Sequence, residues 1–572
     1  MNPFTLLRCA ALATLLSPAC FATQTADYEL INARIFQGRP DASTGTVAIA
    51  AGRILAVGNS SETALFVGTG TKIVDLGGRW LLPGFNDAHL HFLDGALSAY
   101  GIDVTTPSSS ADVPRMVGAF AKTHPDEPWI LGAGWSHTNY PGRAYPARQD
   151  IDAAVSDRPV LLEHVDGHLI WANSLALQRA GVTKKTKDPP NGEILRDPKT
   201  GEPTGILLES AMSLVWKAVP QPSAARRREA LLNALARARS LGVTSIQGML
   251  DKDGAADLSA WRAVPSTGVT VRYFIWGTLE HPEDFLKLKK EFSDLPADRF
   301  VFGGAKGFVD GVISARTAAL LEPYSDAPSV KGTPNYTQKQ LNALVLRAKR
   351  LGLKVELHAI GDRAVRMALD SFENARNVLG PQPFRDKVEH IELVDPADIP
   401  RFKALDVVAS MQPSHCTYEN QSQNYNDERL GPQRARFAFA WRSLQEAGAP
   451  LAFGTDWPVM PLDPRVGLFA AATRENFDGK PPDGWVPEQK ISLEDAISHY
   501  TRGSAYAESM EKELGSILPG MRADLVVMGA GLFEAKGTQI LRVPVDAVFF
   551  DGRPVFVADD APFKDSFAAE PR

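Results

Sequence analysis

The middle of the chain alternates short apolar runs with amphipathic helical patterns, and this alternation constrains the fold more than any other feature. Eight runs are typical of buried strands, and they lie at residues 81–92, 243–247, 271–276, 302–310, 354–360, 387–393, 407–413 and 451–458. Helical patterns precede or follow most of them, and several end in a glycine just before the next strand, as helices commonly do. Strand and helix alternating eight times predict an α/β fold, a parallel (β/α)₈ or TIM barrel.

Two regions do not follow this alternation. The gap after the first run, at about 93–222, is too long for a loop and predicts an insertion with its own structure near the catalytic face. Residues 23–80 and 506–572 carry short alternating runs punctuated by Gly and Asn, which favour antiparallel strands. The simplest interpretation is one small β-sandwich built from both chain ends, around a barrel domain at 81–505.

The first 22 residues have the organisation of a secretory signal peptide. A single charge, Arg8, precedes an apolar run that ends in small residues, so cleavage is expected after Ala22. Lipoprotein processing at Cys20 fits less well, because Ser17 stands where a leucine is usual. The sequence therefore predicts export to the periplasm, and no later stretch is apolar enough for stable membrane insertion.

Charge and composition restrict the partners of the chain. Lys and Arg number 61 against 67 Asp and Glu, a net charge of −6, and no basic stripe or RNA-binding motif is present. These values are ordinary for a globular protein and give no reason to expect nucleic acid. A small molecule is the expected partner.

Two histidines stand one residue apart in the first run, "LLPGFNDAHLHF". Residues two apart in a strand point to the same side, so the imidazoles of His89 and His91 converge. They lie at the carboxyl end of the strand, which opens onto the active site of a barrel. Two imidazoles there could bind one metal ion, although an isolated pair of this kind is more often ordinary polar residues.

Later runs carry further polar residues at corresponding positions. His358 ends the fifth run, His390 lies in the sixth and Asp456 ends the eighth. Each stands in an apolar strand, where a polar group needs a partner. Lys306 occupies the fourth run, and carbamylation by CO₂ would turn this amine into an anionic oxygen ligand.

A series of ordered motifs resembles the amidohydrolase superfamily, and within it the group that includes N-substituted formamide deformylases. These motifs are "LPGFNDAHLH", "ILGAGW", "DGHLIWANSLAL", "KGFVDGVISARTAAL", "HAIGDRA", "VEHIEL", "MQPSH", "GTDWPV" and "GSILPGMRADLVV". The resemblance covers nearly the whole mature chain. It is specific for the fold and for a metal hydrolase site, and it is not specific for the substrate.

The resemblance implies a site for two divalent metal ions, usually Zn²⁺, at the mouth of the barrel. His89, His91 and Asp456 would hold the first ion, His358 and His390 the second, and carbamylated Lys306 would bridge both. Imidazole and carboxylate ligands suit zinc. The bridging hydroxide would attack a carbonyl carbon, and Asp456 would carry the proton to the leaving nitrogen.

Three further residues are expected to line the substrate pocket. His168, in the insertion, either reaches over the substrate or is a hydrogen-bonded loop residue. Arg316 could hold a substrate carboxylate, although an ion pair that stabilises its loop is the alternative, and His415 could line the pocket from the seventh strand. The chain also departs from its relatives, which often have His-Asp at Gln247-Gly248 and Gly-Trp-Asp at 134–136.

The resulting functional hypothesis is hydrolysis of a C–N bond in a non-peptide amide, such as a substituted formamide, an N-acyl amine or a cyclic amide. An alternative is the same site acting on an ester, a carbamate or a phosphotriester. A different class is a non-catalytic periplasmic protein that binds a small molecule and uses metals for structure only. Pairing into a homodimer is an expectation from analogy with relatives alone.

Overall fold

The computed structural model of the protein describes residues 24–38, 44–105, 109–250, 254–416 and 425–567. The predicted signal peptide, residues 1–22 with Cys20, lies outside these ranges. In the part of the chain that is described, no helix combines the length and the apolar character needed to cross a membrane.

The described chain contains 22 strands, which form three sheets. The N-terminal strands are β1 (Tyr28–Ile35), β2 (Thr44–Ala50), β3 (Arg53–Gly58), β4 (Lys72–Asp75), β5 (Trp80–Pro83) and β6 (Phe85–Leu90). Six strands follow, β7 (Ile102–Asp103), β8 (Ile130–Trp135), β9 (Val160–His164), β10 (Leu169–Ala172), β11 (Gly192–Arg196) and β12 (Pro203–Glu209). The remainder are β13 (Val243–Met249), β14 (Arg272–Thr278), β15 (Phe300–Phe308), β16 (Lys354–Ala359), β17 (Lys387–His390), β18 (Val408–Met411), β19 (Leu451–Phe453), β20 (Leu525–Met528), β21 (Val545–Phe550) and β22 (Arg553–Val557).

The predicted barrel is confirmed. Strands β6 and β13 to β19 form one sheet of eight parallel strands in chain order. Its two ends meet at the carboxyl side, where the Asp456 amide donates to the His89 carbonyl at 2.8 Å and the His91 amide donates to the Trp457 carbonyl at 2.7 Å. The carboxyl ends of all eight strands therefore surround one opening.

Helices cover the outside of this barrel. They span Ala224–Ser240, Gly254–Arg262, Pro282–Glu291, Gln338–Arg350, Asp362–Leu379, Ile399–Leu405, Tyr425–Ala435, Trp441–Glu446, Pro464–Thr473, Leu493–Ser498 and Ser504–Ala507. Helix Asp362–Leu379 illustrates why: Val365, Ala368, Leu369 and Phe372 recur at helical spacing and are all buried. Helix Gln338–Arg350 begins with a capping box between Thr337 and Gln340.

The region between the first two barrel strands carries a separate sheet. Its strands pair in the order β11-β12-β10-β9-β8-β7, and short helices accompany them at Phe92–Ser98, Asp112–Thr123, Arg148–Asp152, Ser174–Arg179 and Met212–Trp216. Trp135 and Trp171 are fully buried in the apolar core beneath this sheet. The described residues within 102–209 thus form a structured layer, which contacts the barrel opening through Asp166 with Ser314 and through His168 with His358.

Strands from both chain ends join in one further sheet of eight strands. Its order is β22-β21-β20-β5-β1-β2-β3, with β4 paired to β1. The predicted first barrel run is divided, because Trp80–Pro83 pairs with β20 in this sheet and only Phe85–Leu90 enters the barrel. Gly84 lies between them, where a Cβ atom would stand 2.1 Å from the Thr244 hydroxyl, so the junction needs a glycine.

Candidate metal centre

The structure brings all six predicted metal ligands to the opening of the barrel. His89 lies in β6, Lys306 in β15, His358 in β16 and His390 at the end of β17, whereas His91 and Asp456 follow the ends of β6 and β19. All are buried except His91, whose side chain is 27% exposed. His390 and Asp456 have positive φ angles of 74° and 58°, and such strained backbone is typical of functional sites.

The ligand side chains lie within contact distance of one another. His89 and His390 have ring centroids 5.3 Å apart, and those of His390 and His358 are 4.6 Å apart. Nε2 of His89 and Nε2 of His91 lie 3.4 and 3.6 Å from the same oxygen, Oδ1 of Asp456. Ligand atoms of these three residues can surround a single cation.

His89, His358 and His390 each use one ring nitrogen to donate a hydrogen bond to the protein and leave the other nitrogen for a metal. Nδ1 of His89 lies 3.0 Å from Oε1 of Glu356, and Nε2 of His358 lies 3.2 Å from the carbonyl of Gly311. Both acceptors lack a hydrogen, so the imidazole nitrogen must carry it. A metal-binding histidine almost always makes such an outer hydrogen bond, which sets its tautomer.

The outer bond of His390 is fixed by a further side chain. Its Nδ1 lies 2.8 Å from Oε1 of Gln412, and the amide nitrogen of Gln412 donates to Glu389 at 3.1 Å. Because that contact turns the amide oxygen toward His390, Nδ1 must be the donor. Nε2 of His390 is therefore the nitrogen available to a metal.

Burial keeps these rings neutral, which is the form that binds metals. Burial, together with the nearby Lys306 charge, lowers the pKa of His89 to about 4. Burial also lowers the pKa of His358 and that of His390 well below the usual value. The imidazoles thus present lone pairs at neutral pH.

Asp456 supplies the clearest sign that a cation belongs in the site. Its Oδ1 is buried and accepts no hydrogen bond from the described residues, although Nε2 of His89 is only 3.4 Å away. Because the hydrogen of His89 is on Nδ1, two lone pairs face each other here. This arrangement costs free energy unless a positive charge lies between or beside them.

Lys306 is the positive group beside this cluster. Its Nζ lies 2.8 Å from Oε1 of Glu356 and 3.4 Å from Nε2 of His89, and its side chain is fully buried. The amine therefore lies beside His89, one of the ligands predicted for the first ion. In this structure it forms an ion pair with Glu356, and carbamylation stays a prediction.

His168 belongs to the insertion and lies against His358, one of the ligands predicted for the second ion. Its ring centroid is 5.7 Å from that of His358, and its Nδ1 is 2.9 Å from Oε2 of Glu209. Burial opposes ionisation, but the Glu209 carboxylate outweighs it and raises the pKa of His168 to about 9. His168 therefore lies beside His358, and the Glu209 carboxylate favours the protonated form of its ring.

The other two predicted pocket residues have different surroundings. His415 stacks on His390 with centroids 6.0 Å apart, and its Nε2 lies 3.5 Å from Oδ2 of Asp456. Arg316 instead donates to Asp326 at 2.7 Å, so the structure gives it the loop ion pair that was its alternative. His415 therefore lies in the candidate site, whereas the known contacts of Arg316 are to its own loop.

Several residues that shape the site were not among the predicted site residues. They contact the candidate site residues directly or through one another: Asp87, Glu209, Glu356, Lys387, Glu389 and Gln412. The acidic residues of "KVEL" and "KVEH" stand two positions before His358 and one before His390, where they could have been noticed. Their partners depend on strand register, which a single sequence does not specify.

Comparison with known proteins adds an independent observation. The profile of the amidohydrolase family (Amidohydro_3) matches residues 72–556. The protein LONG AFTER FAR-RED 3 of Arabidopsis thaliana is 33% identical over 521 residues, which cover 89% of this chain and 88% of that protein. An N-substituted formamide deformylase of Arthrobacter pascens is 26% identical over 547 residues, 92% of this chain and 98% of that enzyme.

A solved structure shows the same architecture. A metal-dependent hydrolase of Pyrococcus horikoshii OT3 superposes with a TM-score of 0.70 at 28% identity, covering 88% of this chain and 97% of that one.

Proposed function

The chain belongs to the amidohydrolase family, as a metal-dependent hydrolase of C–N bonds, and we propose that it cleaves a non-peptide amide with two divalent metal ions. The observation that carries this proposal is the convergence of Nε2 of His89 and Nε2 of His91 on Oδ1 of Asp456, a buried oxygen that accepts no hydrogen bond from the described residues. Substituted formamides are the first substrates to consider, because an N-substituted formamide deformylase matches nearly the whole chain. N-acyl amines and cyclic amides present the same reacting group.

The donor set fits zinc. His89, His91 and Asp456 would hold one ion, His358 and His390 the other, and Lys306 as a carbamate would reach both. When bound, such ions lower the pKa of water and polarise a carbonyl oxygen.

The residues of the chain would then direct the proton. Asp456 accepts the proton of the attacking water and delivers it to the leaving nitrogen, a transfer that general acid–base catalysis requires. His415, 3.5 Å from the far oxygen Oδ2, lies on the side where a substrate would enter. His168, cationic and held by Glu209, faces the substrate from the insertion.

Metal content tests this proposal. Purified wild type is expected to contain divalent metal by plasma mass spectrometry, and chelation should abolish activity that zinc restores. His89→Ala removes a ligand of the first ion and should lower metal content and turnover together. Wild type without divalent metal, or His89→Ala with full activity, would contradict the proposal.

A substrate panel tests the amide assignment. We expect matched formanilides, acetanilides and lactams to be hydrolysed faster than the corresponding phenyl esters, carbamates and phosphotriesters. A clear preference for esters would contradict the amide assignment and identify an ester as the substrate class. Stoichiometric ligand binding without turnover in the metal-loaded protein would instead favour the small-molecule-binding alternative.

The pair of His168 and Glu209 gives a further prediction. Glu209→Gln removes the charge that keeps His168 cationic, so we expect KM to rise about 10-fold, the loss of about 1.4 kcal/mol of binding. Steady-state kinetics with the best amide would measure it. Glu193→Gln, at an exposed position of β11 in the same insertion, is the control, and equal kinetic effects in both variants would show that His168 has no contact with substrate.

A further inference from the structure

A buried lysine, Lys387, lies next to carboxyl groups that contact the candidate metal centre. We infer that Lys387 is a positioning residue that couples the two halves of the centre, because it contacts the carboxylates that orient one histidine of each half. The inference rests on the proposed two-metal function. It concerns Lys387 and the side chains that it contacts, none of which is among the six predicted ligands.

The first arm runs to the ligand His89. Nζ of Lys387 lies 2.8 Å from Oε2 of Glu356, and Oε1 of the same carboxylate lies 3.0 Å from Nδ1 of His89. Glu356 thus has one oxygen for the lysine and one for the histidine. The ammonium keeps this carboxylate in place even when Lys306 carries a carbamate and no longer pairs with it.

The second arm runs to the ligand His390. Nζ of Lys387 lies 3.4 Å from Oε1 of Glu389, whose Oε2 accepts the amide hydrogen of Gln412 at 3.1 Å. Gln412 in turn accepts from Nδ1 of His390 at 2.8 Å. Through Gln412, Glu389 sets which nitrogen of His390 faces the metal, and Lys387 reaches Glu389 by a close contact without a hydrogen bond.

Hydrogen bonds from Lys387 to its surroundings hold its ammonium between Glu356 and Glu389. Its side chain is fully buried, and it donates to the Ala88 carbonyl at 3.0 Å and to Oε1 of Gln247 at 2.9 Å. Gln247 is one of the two positions at which this chain departs from its relatives. Its amide nitrogen donates to Asn86 and to the Ser504 carbonyl, which turns its oxygen toward the lysine.

The arrangement has a consequence for metal binding. Loss of Gln412 should weaken the binding of only one ion, the one held by His358 and His390. Loss of Lys387 should weaken the binding of both ions. Removal of an outer partner of a metal ligand commonly lowers metal affinity by about 10- to 100-fold. We therefore expect Lys387→Met to weaken both binding steps by about 10-fold or more, and Gln412→Met to weaken one of them.

The experiment compares zinc affinities of the full-length enzyme. Wild type, Lys387→Met and Gln412→Met are stripped of metal and titrated with zinc against a fluorescent chelator, and bound metal is counted by plasma mass spectrometry. Lys349→Met is the matched control: that lysine is also buried and lies 2.8 Å from Asp386, but it sits on an outer helix. The Lys349→Met variant should be less stable than wild type but should bind both zinc ions with unchanged affinity.

The outcomes separate this inference from the proposed function. Wild type that binds no zinc would overturn the two-metal site itself. Wild type with two ions and Lys387→Met with unchanged affinities would overturn the inference alone. If Lys387→Met does not fold by circular dichroism, Glu356→Gln and Gln412→Met test the two arms separately, and unchanged zinc affinities in both would equally overturn it.

Discussion

Asp456→Asn is expected to lower kcat by about 10²- to 10⁴-fold while the protein keeps bound metal. Asparagine has the shape of aspartate, and its amide oxygen can still face His89 and His91, but it cannot accept the proton of the attacking water. The chain places Asp456 at the centre of the candidate ligands, with Oδ1 and Oδ2 directed to different histidines. Steady-state kinetics and metal analysis of the same preparation would measure both effects.

Asp463→Asn is the control for this variant. Asp463 lies a few residues further along and caps helix Pro464–Thr473 by accepting from the Arg465 amide at 3.0 Å. Asparagine caps helices equally well, so activity should be retained. Asp456→Asn with more than a tenth of wild-type turnover and full metal content would rule out this residue as the acid–base group.

Lys306→Ala is expected to lower turnover by about 10³-fold, equivalent to about 4 kcal/mol of lost transition-state stabilisation. The variant loses the group that would bridge both ions and leaves Glu356 without one of its two buried lysine partners. Metal content should fall in parallel. Wild type prepared in ¹³C-bicarbonate should show a carbamate carbon signal by NMR that Lys306→Ala lacks.

Lys354→Ala is the matched control for the loss of a buried lysine. Lys354 begins β16 and lies 2.7 Å from Oε2 of Glu508, and its amine contacts none of the candidate ligands. This variant should be less stable but should keep its metal and its carbamate signal. If wild type binds two ions and shows no carbamate carbon, Lys306 acts as a cation in the site and not as a bridge.

The barrel and its ligand positions could be predicted from the sequence because both depend on local pattern. Apolar runs of strand length alternate with helical patterns, and each of His89, His358 and His390 falls near the end of such a run. The carboxyl ends of parallel strands meet at one opening, so the strand ends alone bring these histidines together. Strand bounds were less accurate: β19 ends at Phe453, where the sequence predicted a run to 458.

The supporting contacts could not be predicted, because they depend on register and on rotamers. Glu356 and Lys387 are neighbours only because β16 pairs with β17 in the register that places these two residues opposite each other. Glu209 reaches His168 because β12 and β10 pair within the insertion. Arg316 could have bound substrate or stabilised its loop, and only the position of Asp326 decides between them.

The closure of the barrel has a consequence for the loss of metal. Among the described strands β6 and β19 are not paired, and backbone hydrogen bonds at His89 and His91 join the two ends of the sheet. A metal ion held by His89, His91 and Asp456 adds a cross-link at the same place, between chain segments that are far apart in sequence. Such a cross-link would remove loop-closure entropy from the unfolded chain, so the proposed centre predicts that demetallation lowers the thermal stability of the enzyme together with its activity.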